Sequence, residues 1–328
     1  MPTLLTNRKM DPALAARIEA TLHQRRARTP TSSRPLDVNV LRAVVLLSFV
    51  GVLCAIGFAI RGRMKLDERR AALMFDWQAR ALDGQERARL ARLEAWMLRL
   101  SAPYPGDRVD AALRAPGALA AILARPTIYV HGALDELVVA RTTSVAESST
   151  RDAFVLCLFD PPQSRDEAIV FEKVRQGVDR ATIDRRAPNV HSLGDVYDGL
   201  PVLRPTFGER VDAARSMPQL ARLQAELDHA PLATTKDALR ATLMLAVIDE
   251  RGDGAGYGAL GGDVAHDVRV ALVDLVTDRL LVSMRRRVDP SWISQGRRVR
   301  SGASLDQCRL AMDVIDGIES EGAPTTAP

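Results

Sequence analysis

Few side chains in this sequence are suited to acid–base chemistry. His131 stands beside Gly132, with Asp135 and Glu136 close behind. An imidazole with a carboxylate nearby can move protons near neutral pH. His191 is followed directly by Ser192, which places a hydroxyl next to a base. No Gly-x-Ser-x-Gly elbow is present to expose a serine as a nucleophile. His131 and His191 are the two candidate catalytic residues, and a surface turn explains His131 equally well.

Metal chemistry has less to build on. His131, His191, His229 and His266 are scattered, and no His-x-x-x-His or Cys-x-x-Cys pair occurs. Neither a zinc site nor a cofactor is expected. The stretch Arg251 to Asp263 (RGDGAGYGALGGD) is glycine-rich but lacks the Lys-Ser/Thr of a phosphate loop. Asp253, Asp263 and Asp267 do not have the spacing of a calcium-binding hand. This stretch reads as an inter-strand loop. The run Arg285-Arg286-Arg287 suits a solvated strand edge, with an acidic partner as the alternative.

Two cysteines, Cys157 and Cys308, lie outside the most apolar stretch of the chain. In an oxidising compartment they could form a disulfide, worth on the order of 4 kcal/mol through loop closure. The alternative is a pair of buried thiols. Cys54 follows Leu53 rather than the small residue of a lipoprotein cleavage site, so it reads as one more apolar side chain.

The elements that would position these groups begin with an anchor. Residues Ala43 to Ile60 (AVVLLSFVGVLCAIGFAI) hold no charge and are bounded by Arg42 and Arg61. As a helix they span about 27 Å, the short end of what a bilayer core requires. The pI of 9.2 invites a nucleic-acid reading, but the charge has a location. Residues 1–42 carry +5 and residues 61–70 carry +3, leaving −4 for residues 71–328 of a chain whose total is +4. Basic flanks beside an apolar run suit anionic lipid, and no nucleic-acid partner is expected. The two flanks are nearly balanced. A short basic tail is harder to translocate than a long domain, which favours an N-terminus inside and a C-terminal region outside.

Residues 1–42 read as a basic, partly disordered tail, with Leu14, Ile18 and Leu22 forming a short amphipathic stripe. Residues 61–101 read as a helical stalk. Leu90, Leu93, Met97 and Leu100 form a short seam that could pair with a second chain or pack on the protein's own domain. Residues 102–318 read as a soluble α+β domain and residues 319–328 as a loose tail. Within the domain, 127–131, 137–145, 153–159 and 239–248 read as strands and 266–288 as a hairpin. Residues 166–178 and 304–318 read as helices, the second capped by Ser304. The order predicts a mostly antiparallel sheet covered by helices.

This layout is similar to that of bitopic envelope proteins of secretion and cell-division machinery. It implies a single-pass protein of the bacterial inner membrane with a periplasmic domain. Its expected partners are the lipid bilayer and other envelope proteins. The leading functional expectation is an interaction or structural protein. The alternatives are a membrane-tethered hydrolase using His131 or His191, and a ligand-sensing domain.

Overall fold

A computed structural model of the chain describes residues 20–21, 38–137, 142–177, 180–250 and 264–322. The stripe Leu14, Ile18 and Leu22, the rest of the basic tail up to residue 37 apart from residues 20–21, the glycine-rich stretch 251–263 and the tail beyond 322 lie outside these residues. The chain divides into two compact units, Met1–Lys65 and Leu66–Pro328.

The first unit contributes most of a long helix, α1 (Val38–Arg80). An eighteen-residue window of this helix is apolar and wholly exposed, and the helix is long enough to cross a membrane. Phe58 is 79% exposed and Leu47 72%. The one hydroxyl in the run is satisfied locally, because Ser48 Oγ donates to Val44 O at 2.8 Å. A helix closes its own backbone hydrogen bonds, so nothing polar in this segment requires water.

In the second unit the described strands form one six-stranded mixed sheet. The strands are β1 (Arg108–Val109), β2 (Thr127–Ala133), β3 (Val190–Ser192), β4 (Leu243–Glu250), β5 (His266–Asp274) and β6 (Arg279–Val288). Their spatial order is β1-β6-β5-β4-β2-β3. β2 runs parallel to both β3 and β4, and the remaining pairings are antiparallel. The sheet is therefore mixed, with three antiparallel pairings and two parallel ones. The helical crossovers that parallel pairing demands lie between β2 and β3 and between β3 and β4. The β5–β6 hairpin turns through Asp278, whose φ of 55° is a conformation that Asp tolerates.

Helices cover both faces. On one face lie α2 (Gly84–Leu100), α4 (Thr142–Ser148), α8 (Leu193–Tyr197), α9 (Leu200–Leu203), α10 (Pro205–Ala213), α11 (Met217–His229) and α12 (Leu232–Ala238). The last turns of α1 pack on the same face. Leu73, Leu90, Leu93 and Met97 join Ile128, Val130, Met244 and Ile248 in one core. On the other face lie α3 (Ala118–Leu123), α5 (Ala153–Phe159), α6 (Glu167–Gly177), α7 (Arg180–Arg186) and α13 (Gln295–Gly322). There Phe154, Leu156, Val174, Leu305 and Leu310 meet Tyr129, Leu245 and Val270. Alternate residues of β2 thus feed the two cores, as strand geometry requires.

Three segments differ from the sequence expectation. Residues 153–159 form α5, not a strand. A short continuous apolar run fits a buried helix as well as a buried strand. The choice falls to helix because Asp152 caps it, accepting from the Phe154 and Val155 amides, and Pro161 and Pro162 follow its end. The predicted strand 137–145 instead runs into helix α4 from Thr142, with residues 138–141 outside the description. The last helix spans Gln295–Gly322, so Ser304 is an interior residue and not its cap, and the helix runs four residues into the expected loose tail.

Cys157 on α5 and Cys308 on α13 are joined as a disulfide, with Cα atoms 5.1 Å apart. Both lie in the core between the two helices and the sheet.

Candidate functional site

His131 sits near the end of β2, where the strand emerges from the core. Its Nδ1 lies 3.0 Å from Asp152 Oδ2, and its Nε2 lies 3.2 Å from Asp249 Oδ2. Asp152 is the residue that caps α5, and Asp249 lies near the end of β4. Both ring nitrogens face carboxylate oxygens, so both donate and the ring is an imidazolium. Burial pushes the imidazole pKa down, but the hydrogen bonds and charges of Asp152 and Asp249 outweigh it and raise the value to about 10.

The network extends to either side. Tyr129 OH donates to Asp152 Oδ2 at 2.9 Å. Burial and then the Asp152 charge hold this phenol well above its ordinary pKa. On the far side, His266 Nε2 lies 3.5 Å from Asp249 Oδ1, and its Nδ1 lies 2.9 Å from Val264 O. The bond to Asp249 raises the His266 pKa against the opposing effect of burial. Burial pushes Asp249 up, but the two imidazoles outweigh it, and the carboxylate is held below its usual value.

A cavity of about 30 Å³ is lined by His131, Asp249, His266 and, from α13, Asp306. It has room for a water molecule and not for a substrate. Asp306 Oδ1 accepts from Trp292 Nε1 at 2.8 Å, while Oδ2 is buried without a hydrogen-bond partner among the described residues. Burial raises this carboxyl to about 6, with the Trp292 bond opposing. No group of three or more His, Cys, Asp or Glu among the described residues is arranged to hold a metal ion.

Topology makes the position notable. The connection leaving β2 leads to β3 on one side, and the connection leaving β4 leads to β5 on the other. The ends of these parallel neighbours therefore form a switch point, where open α/β sheets commonly bind ligands. Here the switch point is filled by a charge network and covered by α13.

The remaining sequence candidates are placed elsewhere. His191 pairs in register with Ile128, on the opposite face of the sheet from His131. Its Nε2 lies 3.9 Å from the Asp237 carboxylate. Ser192 caps α8, its hydroxyl accepting from the Asp195 amide at 3.1 Å. Among the described residues, none of the hydrogen bonds to the His131 ring comes from a hydroxyl or thiol. Asp135 and Glu136, near in sequence, are not its ring partners; Asp152 and Asp249 take that place. Sequence reasoning missed Asp152, Asp249, His266 and Asp306. The available signal was a carboxylate ending the apolar run of β4 and a histidine opening β5.

Of the arginine run, Arg285 pairs with Glu250, Arg286 with Asp107 and Arg287 with Asp267. This is a satisfied edge. Comparison with protein-family models, with curated proteins and with solved structures finds no match to this chain.

Proposed function

We propose that this is a single-pass membrane-anchored protein of the bacterial cell envelope whose α+β domain works by interaction rather than by catalysis. The observation that carries the reading is the exposed, charge-free run of α1, in a protein whose other apolar runs are largely buried. Water solvates such a surface poorly and hydrocarbon accommodates it. Arg42 and Arg61 suit the two head-group regions.

A disulfide between Cys157 and Cys308 supports an extracytoplasmic folded unit, because thiols in the cytoplasm are kept reduced. The tail 1–42 is then cytoplasmic and the membrane is the inner one. Partners are the bilayer and other envelope proteins. Catalysis by His131 is disfavoured because a base needs an unprotonated nitrogen free to accept a proton, and both of its nitrogens are engaged.

The test is fractionation of cells making the full-length chain. The protein should pellet with membranes and resist alkaline carbonate, and a chain lacking residues 1–60 should not. Alkaline phosphatase fused at the C-terminus should be active, and crosslinking in intact cells should trap envelope proteins. Full-length protein remaining in the supernatant without detergent removes the anchor, and an inactive fusion reverses the orientation.

A further inference from the structure

A cavity of about 720 Å³ opens at the other end of the parallel strands from the histidine network, beside Pro188 and Asn189, which lead into β3. Its walls are Leu119 and Leu123 of α3, Phe159 at the end of α5, and Ile315 and Ile318 of α13. Space is left because α3 and its flanks are built of small residues. Ala115, Ala120 and Ala124 line the opening where longer side chains would close it. The size falls in the range of small-molecule sites, and such sites are mostly apolar with a few convergent polar groups.

The polar groups carry a sign. Arg114 and Arg186 stand at the cavity with Asn189, opposed by Glu319. Arg186 is shared with Asp160 at 3.4 Å. Arg114 has no carboxylate partner among the described residues, whereas most arginines of the folded unit do. An apolar chamber with an unpaired guanidinium at its mouth is complementary to a molecule with an apolar body and an anionic end.

We propose that this cavity binds one acyl chain bearing an anionic head, with the chain among Leu119, Phe159 and Ile315 and the head at Arg114. Free fatty acid and anionic lysophospholipid share this chemistry. The proposal is independent of the reading of the histidine network and of the anchor.

The test uses the full-length protein in phosphatidylcholine nanodiscs, with empty discs as the blank. The probe is hexadecanoate carrying a diazirine near the chain end, photolysed and mapped by mass spectrometry. Label is expected on peptides covering residues 113–124, 158–161 and 315–319. Ala120→Trp, at an exposed position of α3, should lower labelling at least tenfold with unchanged thermal unfolding. Arg114→Gln should weaken the acid about twofold to fivefold and leave a hexadecanol probe unaffected. Stronger competition by lysophosphatidylglycerol than by hexadecanoate would make the lipid the source, and the reverse order would make it the free acid. Label confined to residues 43–60, or insensitive to Ala120→Trp, overturns the site. Equal loss of acid and alcohol in Arg114→Gln overturns the anionic head.

Discussion

Asp152 accepts from His131 Nδ1 through one carboxylate oxygen and from the Phe154 amide through the other, each at 3.0 Å. One side chain therefore fastens the end of β2 to the first turn of α5, the helix that carries Cys157. The two roles separate by substitution. Asparagine keeps a capping oxygen and removes the charge, whereas alanine removes both. Asp152→Asn should cost about 2 kcal/mol, the scale of a hydrogen bond to a charged group. Asp152→Ala should cost about 1 kcal/mol more through loss of the cap. Guanidinium unfolding followed by tryptophan fluorescence measures both, and equal costs would show that the capping oxygen contributes nothing.

The pH dependence follows from the directions of the shifts. His131 rises from 6.5 to about 10, so its stabilising contribution is complete below pH 6.5 and is lost as pH climbs towards 10. Asp306 rises from 3.8 to about 6, so the fold favours its neutral form, and that contribution fades between those values as pH rises. Asp249 is lowered and acts in the opposite sense, its contribution being lost on acidification below its ordinary value of 3.8. Proton NMR of the histidine rings should show His131 titrating near pH 10. Asp306→Asn should abolish the stability loss between pH 4 and 6. A His131 midpoint near 6.5 would mean that the two carboxylates do not grip the ring as described.

The disulfide closes a loop of 151 residues. Replacing both Cys157 and Cys308 by alanine should lower stability by about 5 kcal/mol in the chain-entropy account. The unreduced protein should run faster than the reduced one on a denaturing gel, and Cys54→Ser should keep that difference. A protein whose two core thiols alkylate after denaturation without reductant would have no such bond.

Gly208 on α10 lies against the Trp77 ring of α1, and a Cβ there would sit 2.6 Å from the Trp77 Cζ3 atom. Trp77 is also fixed by its Nε1 donating to Val202 O at 2.9 Å. Gly208→Val should therefore cost about 1–3 kcal/mol by overpacking and shift tryptophan emission to the red. Gly296→Ala has open space and should be neutral or slightly stabilising. Matching stabilities for the two variants would dissociate Trp77 from the packing of this face.

The sequence made the α+β class, β2, the 266–288 hairpin and the helix over 166–178 legible through β-branched content, a turn signal or a helical period, and β4 in part, since the strand expected over 239–248 begins at Leu243. The segment 153–159 was ambiguous because seven apolar residues have no polar face to report a period. Capping by Asp152 and the prolines beyond decide it. His131 stood out as a titratable group, yet its surroundings did not. Asp249 lies 118 residues away and reaches it only because β4 pairs in parallel with β2, a pairing that alternation of residue types does not encode. The apolar cavity was invisible for a related reason. Its alanines belong to α3, while the walls that make them a cavity come from the ends of α5 and α13.

The position of the cysteines along the chain bears on how it can be made. During synthesis Cys157 emerges long before Cys308, and the central strand β2 must wait for residue 243 and beyond to supply its partner β4. In that interval Cys54 is the only other thiol on the chain and the nearer one to be captured by mistake. In the membrane-anchored reading proposed above, the bilayer would withdraw Cys54 from oxidants, and the correct bond would form without a rival.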